Sequence, residues 1–183
     1  MSHLTDPTLD AALRVVSRYG MRRTTMADVA REAGVSRQTL YDRFGDKDGV
    51  MAAAIGVMGA EICARLSAAF AEAPDLGAKI DAYYRLAVWP VFDMMETLPD
   101  AADLERGFGP ASQAASQEAE DEKQALLAEM LRGALPPACP PPEDVAAFFE
   151  QATSRAKMSG VARTELVRFL AVLRAAVLAM ARP

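Results

Sequence analysis

Residues 24–47, TTMADVAREAGVSRQTLYDRFGDK, constrain the fold of this chain more than any other stretch. Thr25 is a favourable N-cap residue, and Asp28 follows at the spacing of a capping box. Gly34 ends the helix that these two residues begin, because glycine adopts the left-handed conformation without a Cβ clash. Ser36 is a good cap for the next helix. The stretch therefore predicts two short helices joined by a tight turn.

Apolar residues recur at the three- and four-residue spacing of a helix on both sides of this turn. They are Met26, Val29, Ala30 and Ala33 before the glycine, and Leu40, Tyr41 and Phe44 after it. Two short helices around a glycine turn, the second led by polar residues, form a helix-turn-helix. In that motif the second helix enters the DNA major groove, and its N-terminal residues contact base edges.

The same residues carry a family resemblance. The run 25–36 (TMADVAREAGVS), the run 39–44 (TLYDRF) and Lys47 are together similar to the DNA-binding domain of the TetR family of transcriptional repressors. Gln38 and Arg43 depart from residues that are common in the family. We expect these two departures to alter the operator sequence or the phosphate contacts rather than the fold.

The resemblance covers residues 8–55, and the rest of the chain matches the family only in length and helical pattern. It implies a homodimer that binds a roughly palindromic operator in double-stranded DNA, since two-fold symmetry places two recognition helices one or more DNA turns apart. It also implies repression of transcription, and release from DNA by a small-molecule effector.

Polar residues at the start of the second helix are the candidate base readers. Arg37 can bond bidentately to guanine and Gln38 to adenine, while Thr39 suits a thymine methyl group or a phosphate. Tyr41 packs in the core if the pattern alone decides, whereas the resemblance implies a phosphate contact. Lys47 starts a helix, whose N-terminus favours a phosphate, and the matching family residue grips the DNA backbone. The predicted DNA-binding residues are Thr25, Ser36, Arg37, Gln38, Thr39, Tyr41, Arg43 and Lys47.

Charge is distributed unevenly along the 183-residue chain, whose net charge is −5. Residues 1–50 hold eight Lys and Arg against seven acids, and the remainder holds twelve against eighteen. This balance excludes a generally basic nucleic-acid binder but suits a local DNA-reading face. Two distant cysteines and one histidine predict no disulfide framework, no metal site and no cofactor. Without a signal peptide or a transmembrane run, we expect a cytoplasmic protein.

Helical patterns continue to the end of the chain and predict an all-α protein of about nine helices. We expect a helix-turn-helix domain over 1–50 and a helical effector-binding and dimerisation domain over 51–183. The other predicted helices span 7–19, 47–73, 76–98 (kinked or split at Pro90), 100–106, 111–135, 143–159 and 162–181, with a stiff extended linker over 136–142. The acidic, Gln-rich segment 113–124 is expected to be a solvated helix face, with partner binding as the alternative.

Methionines and aromatic residues are concentrated in the middle helices, and the resemblance implies an effector cavity there, between the fourth and seventh helices. The alternative is that these residues simply fill the core. Few charges fall inside the apolar stripes, so the expected ligand is apolar or aromatic. The candidate pocket residues are Met58, Ile62, Tyr84, Val88, Trp89, Phe92, Met95, Phe108 and Met130.

The last helix is apolar around much of its girth, beyond what one side of a monomer needs. The resemblance implies that the last two helices pair with those of a second subunit as a four-helix bundle. A fully buried internal helix is the alternative. The candidate dimer-interface residues are Phe148, Phe149, Leu166, Phe169, Leu170, Leu173 and Val177.

Three other functions remain to be weighed against a ligand-responsive repressor. The first is a DNA-binding regulator without a small-molecule ligand, and the second is a helical protein–protein adaptor. The third, a small helical enzyme, lacks support because there is no Gly-rich phosphate loop, no metal constellation and no plausible histidine base. We therefore expect no catalytic residues.

Overall fold

The computed structural model describes residues 4–97, 107–158 and 160–181. These residues form nine α-helices and no strand, with one π-helical segment between the fifth and sixth helices. The helices are α1 (Pro7–Tyr19), α2 (Met26–Ala33), α3 (Arg37–Phe44), α4 (Lys47–Glu72), α5 (Leu76–Tyr83), α6 (Trp89–Thr97), α7 (Pro110–Arg132), α8 (Pro142–Met158) and α9 (Arg163–Met180). The predicted all-α class is confirmed. The helix predicted over 100–106 lies outside the described residues.

Contacts within the chain divide it into two compact units. Unit 1 comprises Met1–Ala60 and Glu96–Ala119, and unit 2 comprises Glu61–Met95 and Glu120–Pro183. The first boundary between the units falls after Ala60, whereas the sequence predicted a domain boundary after residue 50. The whole helix-turn-helix lies in unit 1, together with a segment from the middle of the chain that the sequence pattern did not connect to it.

The core of unit 1 forms where α1, α2, α3 and the first half of α4 bury their apolar faces. Asp6 caps α1 by accepting hydrogen bonds from the N–H groups of Thr8 and Leu9, and Pro7 occupies the first turn, where no N–H is needed. The buried cluster comprises Leu4, Leu9, Ala12, Met26, Val29, Ala30, Leu40, Val50 and Ala54. This packing holds α3 with one face against α2 and the other exposed.

The 26-residue helix α4 supplies buried residues to both units, such as Val50 and Ala54 in unit 1 and Leu66 and Phe70 in unit 2. By length and composition alone it is apolar enough to cross a membrane, with a mean hydropathy of 1.5 over its best window. No helix apolar enough to cross a membrane was expected from the sequence, where the apolar runs are too short or interrupted by charge. A long core helix meets the same criterion, so this is weak evidence of membrane insertion.

Pro90 explains the change of helical type between α5 and α6. Proline has no N–H, and its ring clashes with the carbonyl of the residue four positions earlier in a regular α-helix. Here Tyr84–Val88 widens into a π-helical segment, and the N–H of Trp89 bonds to the carbonyl of Tyr84, five residues back. The sequence predicted a kink or a split at Pro90; residues 76–97 remain helical, so the helix is not split at the proline, and its helical type changes in the turn before it.

Unit 2 has its own apolar core, built from α5, α6, the second halves of α4 and α7, α8 and α9. Its largest fully buried side chains include Tyr83, Phe149, Ile80, Leu127 and Leu166. The extended linker predicted before α8 is wrong in part: the N–H of Cys139 bonds to the carbonyl of Pro136 at 3.0 Å, which closes a turn. The fixed φ angle of proline is compatible with a turn as well as with an extended chain, so a proline-rich sequence does not distinguish the two.

Candidate DNA-binding surface

Local hydrogen bonds build the turn of the helix-turn-helix. The Thr25 hydroxyl accepts from the N–H of Asp28 at 3.2 Å, and the Asp28 carboxylate accepts from the N–H of Thr25 at 3.3 Å, which completes the capping box. Gly34 has φ of 68°, a left-handed conformation that costs other residues free energy. Ser36 Oγ accepts from the N–H of Thr39 at 3.0 Å and caps α3. The caps expected from the sequence are confirmed.

The face of α3 that points away from the core is polar and exposed. Ser36, Arg37, Gln38 and Thr39 are all exposed at its N-terminal end, and Leu40 is the only buried residue of this helix. Tyr41 is 48% exposed, so the alternative of a core-packed ring is wrong. The first turn of the second helix thus presents an amide, a guanidinium and hydroxyl groups to solvent, the donors and acceptors used at base edges and phosphates.

Two of these side chains are oriented by neighbours on the same helix. Gln38 Nε2 donates to Asp42 Oδ1 at 2.6 Å, and Ser36 Oγ lies 2.8 Å from Thr39 Oγ1. One amide hydrogen of Gln38 is used in this way, which leaves its carbonyl oxygen and second amide hydrogen for another partner. Asp42 therefore positions a predicted base reader.

Arg43 is engaged inside the chain, which the sequence did not predict. Its guanidinium forms an ion pair with Asp6, the cap of α1, and lies 4.6 Å from the centre of the Phe44 ring. Arg43 remains exposed, so its unused donors still face solvent. The contact ties the end of α3 to the start of α1.

Lys47 also has an internal partner, because its ammonium donates to the carbonyl of Met21 at 3.0 Å. Lys47 is the first residue of α4, and Asp46 caps that helix through the N–H of Gly49 at 2.9 Å. An ammonium has three donors, so two remain for a phosphate beside the positive end of the helix.

Sequence reasoning missed Asp48, which accepts hydrogen bonds from Gly109, Ala111 and Ser112. Burial alone would raise the pKa of Asp48, but the Ser112 hydroxyl and the three N–H groups stabilise the carboxylate and hold its pKa below the usual value. These partners lie more than sixty positions further along the chain, so no local pattern signals the contact.

The predicted pocket residues divide between the two units, and Met58 and Phe108 belong to unit 1. In unit 2, Tyr84, Val88, Phe92, Met95 and Met130 are buried, while Ile62 and Trp89 are partly buried against the core. Unit 2 also carries two open depressions of about 360 and 330 Å³. In the described structure, Met130 alone of the predicted set lines either of them.

Most of the predicted dimer-interface residues are buried within unit 2. The residues that lie in the core of their own unit are Phe149, Leu166, Leu170, Leu173 and Val177. Only Phe148 and Phe169 of the predicted set are exposed, at 63% and 38%. Val172 and Val167, which were not predicted, are 70% and 50% exposed. We call Phe148, Val167, Phe169 and Val172 the exposed apolar face of α8 and α9.

The expectation that few charges enter the apolar stripes is wrong for unit 2. The Glu150 carboxylate is 1% exposed and accepts from the Tyr83 hydroxyl, from Lys123 Nζ at 2.6 Å and from Ser154 Oγ at 3.1 Å. Lys157, 7% exposed, adds a second ammonium charge. Burial raises the pKa of Glu150 and lowers the pKa of Lys123 to about 8.

Comparison with known proteins agrees with this local geometry. The family of bacterial regulatory proteins named tetR matches residues 9–54. An uncharacterized HTH-type transcriptional regulator of Mycobacterium tuberculosis is 50% identical over 44 residues, which are 24% of this chain and 23% of that protein. The alignment thus spans less than a quarter of the length of the curated relatives.

Solved structures match over nearly the whole chain. A TetR-family transcriptional regulator from Pectobacterium atrosepticum is 25% identical with a TM-score of 0.66, covering 94% of this chain and 91% of that one. The regulatory protein TetR from Rhodobacter sphaeroides is 18% identical with a TM-score of 0.69, covering 95% and 98%. The chain therefore has the all-helical fold of TetR-family regulators, and its helix-turn-helix lies within residues 9–54, which match the bacterial regulatory proteins of the tetR family.

Proposed function

We propose that the protein is a homodimeric, sequence-specific DNA-binding regulator of transcription that recognises a roughly palindromic operator. The exposed first turn of α3 carries this proposal, because Arg37, Gln38 and Thr39 lie unobstructed at the leading end of a recognition helix. Repression is the mode that the family resemblance supports. A regulator of this kind acts on the chromosome, so we place it in the cytoplasm.

Selection of bound duplexes from a random DNA pool tests the proposed function. At about 0.15 M salt, nonspecific attraction to phosphates is strongly screened, so base contacts decide which duplexes are recovered. We expect a palindrome with half-sites one or more helical turns apart. Recovery of no sequence would contradict the proposal and favour the helical adaptor.

Replacement of Arg37 by alanine is expected to relax sequence preference at one base pair in each half-site. Loss of a bidentate contact to guanine costs about 1–3 kcal/mol of discrimination. Repeating the selection with Arg37→Ala checks this, and Arg85→Ala, which removes an exposed arginine from unit 2, is the control. An unchanged preference at every position would refute base reading by Arg37.

Replacement of Lys47 by alanine is expected to weaken binding to all sequences about equally. Removal of one phosphate contact reduces the slope of log affinity against log salt by about one unit. Titrations of the operator and of an unrelated duplex at several salt concentrations measure both effects. If the slope stays constant while affinity falls, the role of Lys47 is its hydrogen bond to the Met21 carbonyl instead.

Homodimerisation is proposed through the exposed apolar face of α8 and α9. Among the side chains that the structure describes in unit 2, Phe148 and Val172 are the most exposed large apolar ones, at 63% and 70%. The flanking exposed positions of α9 include Ala171, Ala175 and Ala176, small residues that let another helix approach closely. Burying this face against its symmetry copy would remove apolar surface from water.

Release by a small apolar or aromatic ligand is the finer part of the proposal, supported by the aromatic and methionine-rich middle of the chain. Such a ligand would act by preferring a conformation in which the recognition helices are wrongly spaced. With the selected operator as probe, apolar and aromatic compounds can be screened for release.

A DNA-binding regulator without a small-molecule ligand is the second candidate, and the packing of unit 2 favours it. Tyr84 stacks on Phe149 with ring centres 5.9 Å apart, and its hydroxyl donates to the carbonyl of Leu170 at 3.0 Å. Side chains that satisfy one another in this way fill the space expected for a ligand. Operator binding that no compound in the screen alters would support this candidate.

A further inference from the structure

The carboxylate of Asp48 binds the start of α7. Asp48 Oδ1 accepts from the N–H groups of Gly109 at 3.0 Å and Ser112 at 3.2 Å, and Oδ2 accepts from the N–H of Ala111 at 2.8 Å. The Ser112 hydroxyl donates to the same carboxylate and lies 3.2 Å from the main-chain oxygen of Asp48. All these groups belong to unit 1. One side chain thus holds four donors from a distant segment.

The carboxylate of Asp48 binds here because the start of a helix leaves N–H groups without partners. The first N–H groups of α7 have no partner within the helix, and the positive end of its dipole favours a carboxylate. Asp48 supplies that carboxylate from another helix, in place of a local cap. Hydrogen bonds to an ionised acceptor are stronger than neutral ones.

Packing around the carboxylate is tight and continues into the apolar core. Phe108 packs against the cluster of Val16, Met21 and Met51. A Cβ added at Gly109 would lie 2.5 Å from Asp48 Oδ2, a distance that real Cβ contacts do not show. The absence of a side chain at position 109 is therefore required for the contact.

Asp48 is also next to the DNA-binding residues. It directly follows Lys47, and the ammonium of Lys47 holds the carbonyl of Met21 in the same apolar cluster. Only Gly45 and Asp46 separate α3 from α4. Any movement of the first turn of α4 must therefore displace Lys47 and the end of the recognition helix.

We propose that Asp48 is a positioning residue for DNA binding, which fastens the first turn of α4 to residues 109–112 and so fixes Lys47 and α3 in the geometry that contacts DNA. This inference rests on the proposed function. It adds residues 109–112 to the set that determines DNA affinity.

The decisive test compares Asp48→Asn with Glu118→Gln in the full chain, using the selected operator. Glu118 is an exposed acid of the same unit, so both variants remove one negative charge. Charge alone predicts that each variant binds DNA slightly more tightly, whereas loss of positioning predicts weaker binding by Asp48→Asn. We expect a loss of about tenfold for Asp48→Asn, since an amide replaces an ionised acceptor of several hydrogen bonds. Equal affinities of the two variants would overturn the proposal.

A second variant alters the same contact through the segment that donates its hydrogen bonds to Asp48. Gly109→Ala keeps every charge but places a methyl group against the Asp48 carboxylate, and it should reduce affinity in the same direction as Asp48→Asn. Thermal unfolding of each variant sets the assay temperature so that all proteins are folded. If Gly109→Ala is folded and binds like the wild type, the contact does not position the DNA-binding residues.

Amide hydrogen exchange without DNA separates this inference from the proposed function. The amides of Gly109, Ala111 and Ser112 should exchange faster in Asp48→Asn than in Glu118→Gln, and unchanged protection would overturn the contact itself. A wild-type protein that binds no duplex would overturn the proposed function, while the exchange data would still decide whether Asp48 holds this segment.

Discussion

If the proposed dimer forms through α9, Val172→Glu is expected to convert it into monomers and to abolish binding to the proposed operator at ordinary protein concentrations. Val172 is the most exposed large apolar residue described on α9, at 70%, so a charge there costs the folded monomer little. Burying that charge in an interface between two copies would be expensive. A monomer reads one half-site only, and loss of the second costs about 10²-fold or more in affinity. Light scattering and operator titration measure the two effects.

The control for this experiment is Ala125→Glu, which adds the same charge at an exposed position of α7. It should leave both the molar mass and the affinity unchanged. Leu173→Glu is unsuitable as a test, because Leu173 is 6% exposed and the charge would enter the core of unit 2. A stable dimer of Val172→Glu would place the interface on another surface.

Glu150→Ala is expected to destabilise unit 2 by about 3–5 kcal/mol, the cost of removing one partner of a buried ion pair. The substitution leaves the ammonium groups of Lys123 and Lys157 in the core without their shared carboxylate. It also removes the acceptor of the Tyr83 hydroxyl. Chemical denaturation followed by circular dichroism measures the loss in free energy of unfolding.

Two comparisons make this prediction specific. Glu122→Ala removes an exposed acid from the same unit and should change stability by no more than about 0.5 kcal/mol. Adding Lys123→Met and Lys157→Met to Glu150→Ala should recover much of the loss, because apolar replacement of a whole buried ionic group is often neutral or stabilising. If the triple variant is no more stable than Glu150→Ala, the unpaired charges of Lys123 and Lys157 are not the cause of the lost stability.

The helix-turn-helix is predictable from the sequence because its determinants are local. The side chains of Thr25, Asp28 and Ser36 each accept a hydrogen bond from an N–H group three residues away. Gly34 ends α2 through its own left-handed conformation, so each effect can be predicted from neighbouring residues. The irregularity before Pro90 is predictable for the same reason, since the missing N–H and the ring clash concern the preceding turn.

The surfaces of unit 2 were not predictable in the same way. An apolar stripe on α9 shows that the helix buries residues, but not whether the partner is its own core or a second copy. Leu166, Leu170 and Leu173 turned out to face the core, and Val167 and Val172 face outward. A helix that is apolar on both sides carries core-facing and outward-facing apolar residues. Only the packing of the helix against its neighbours shows which residues face the core.

The all-helical class, the capped helix-turn-helix and the exposed polar turn at Arg37 and Gln38 can be predicted from the residues, because each follows from positions close together in the chain. The contact of Asp48 with Ser112, 64 positions away, and that of Tyr83 with Glu150, 67 positions away, are seen only in the folded structure. Contacts between distant residues depend on how whole helices pack, and no periodicity along the chain encodes which two positions meet.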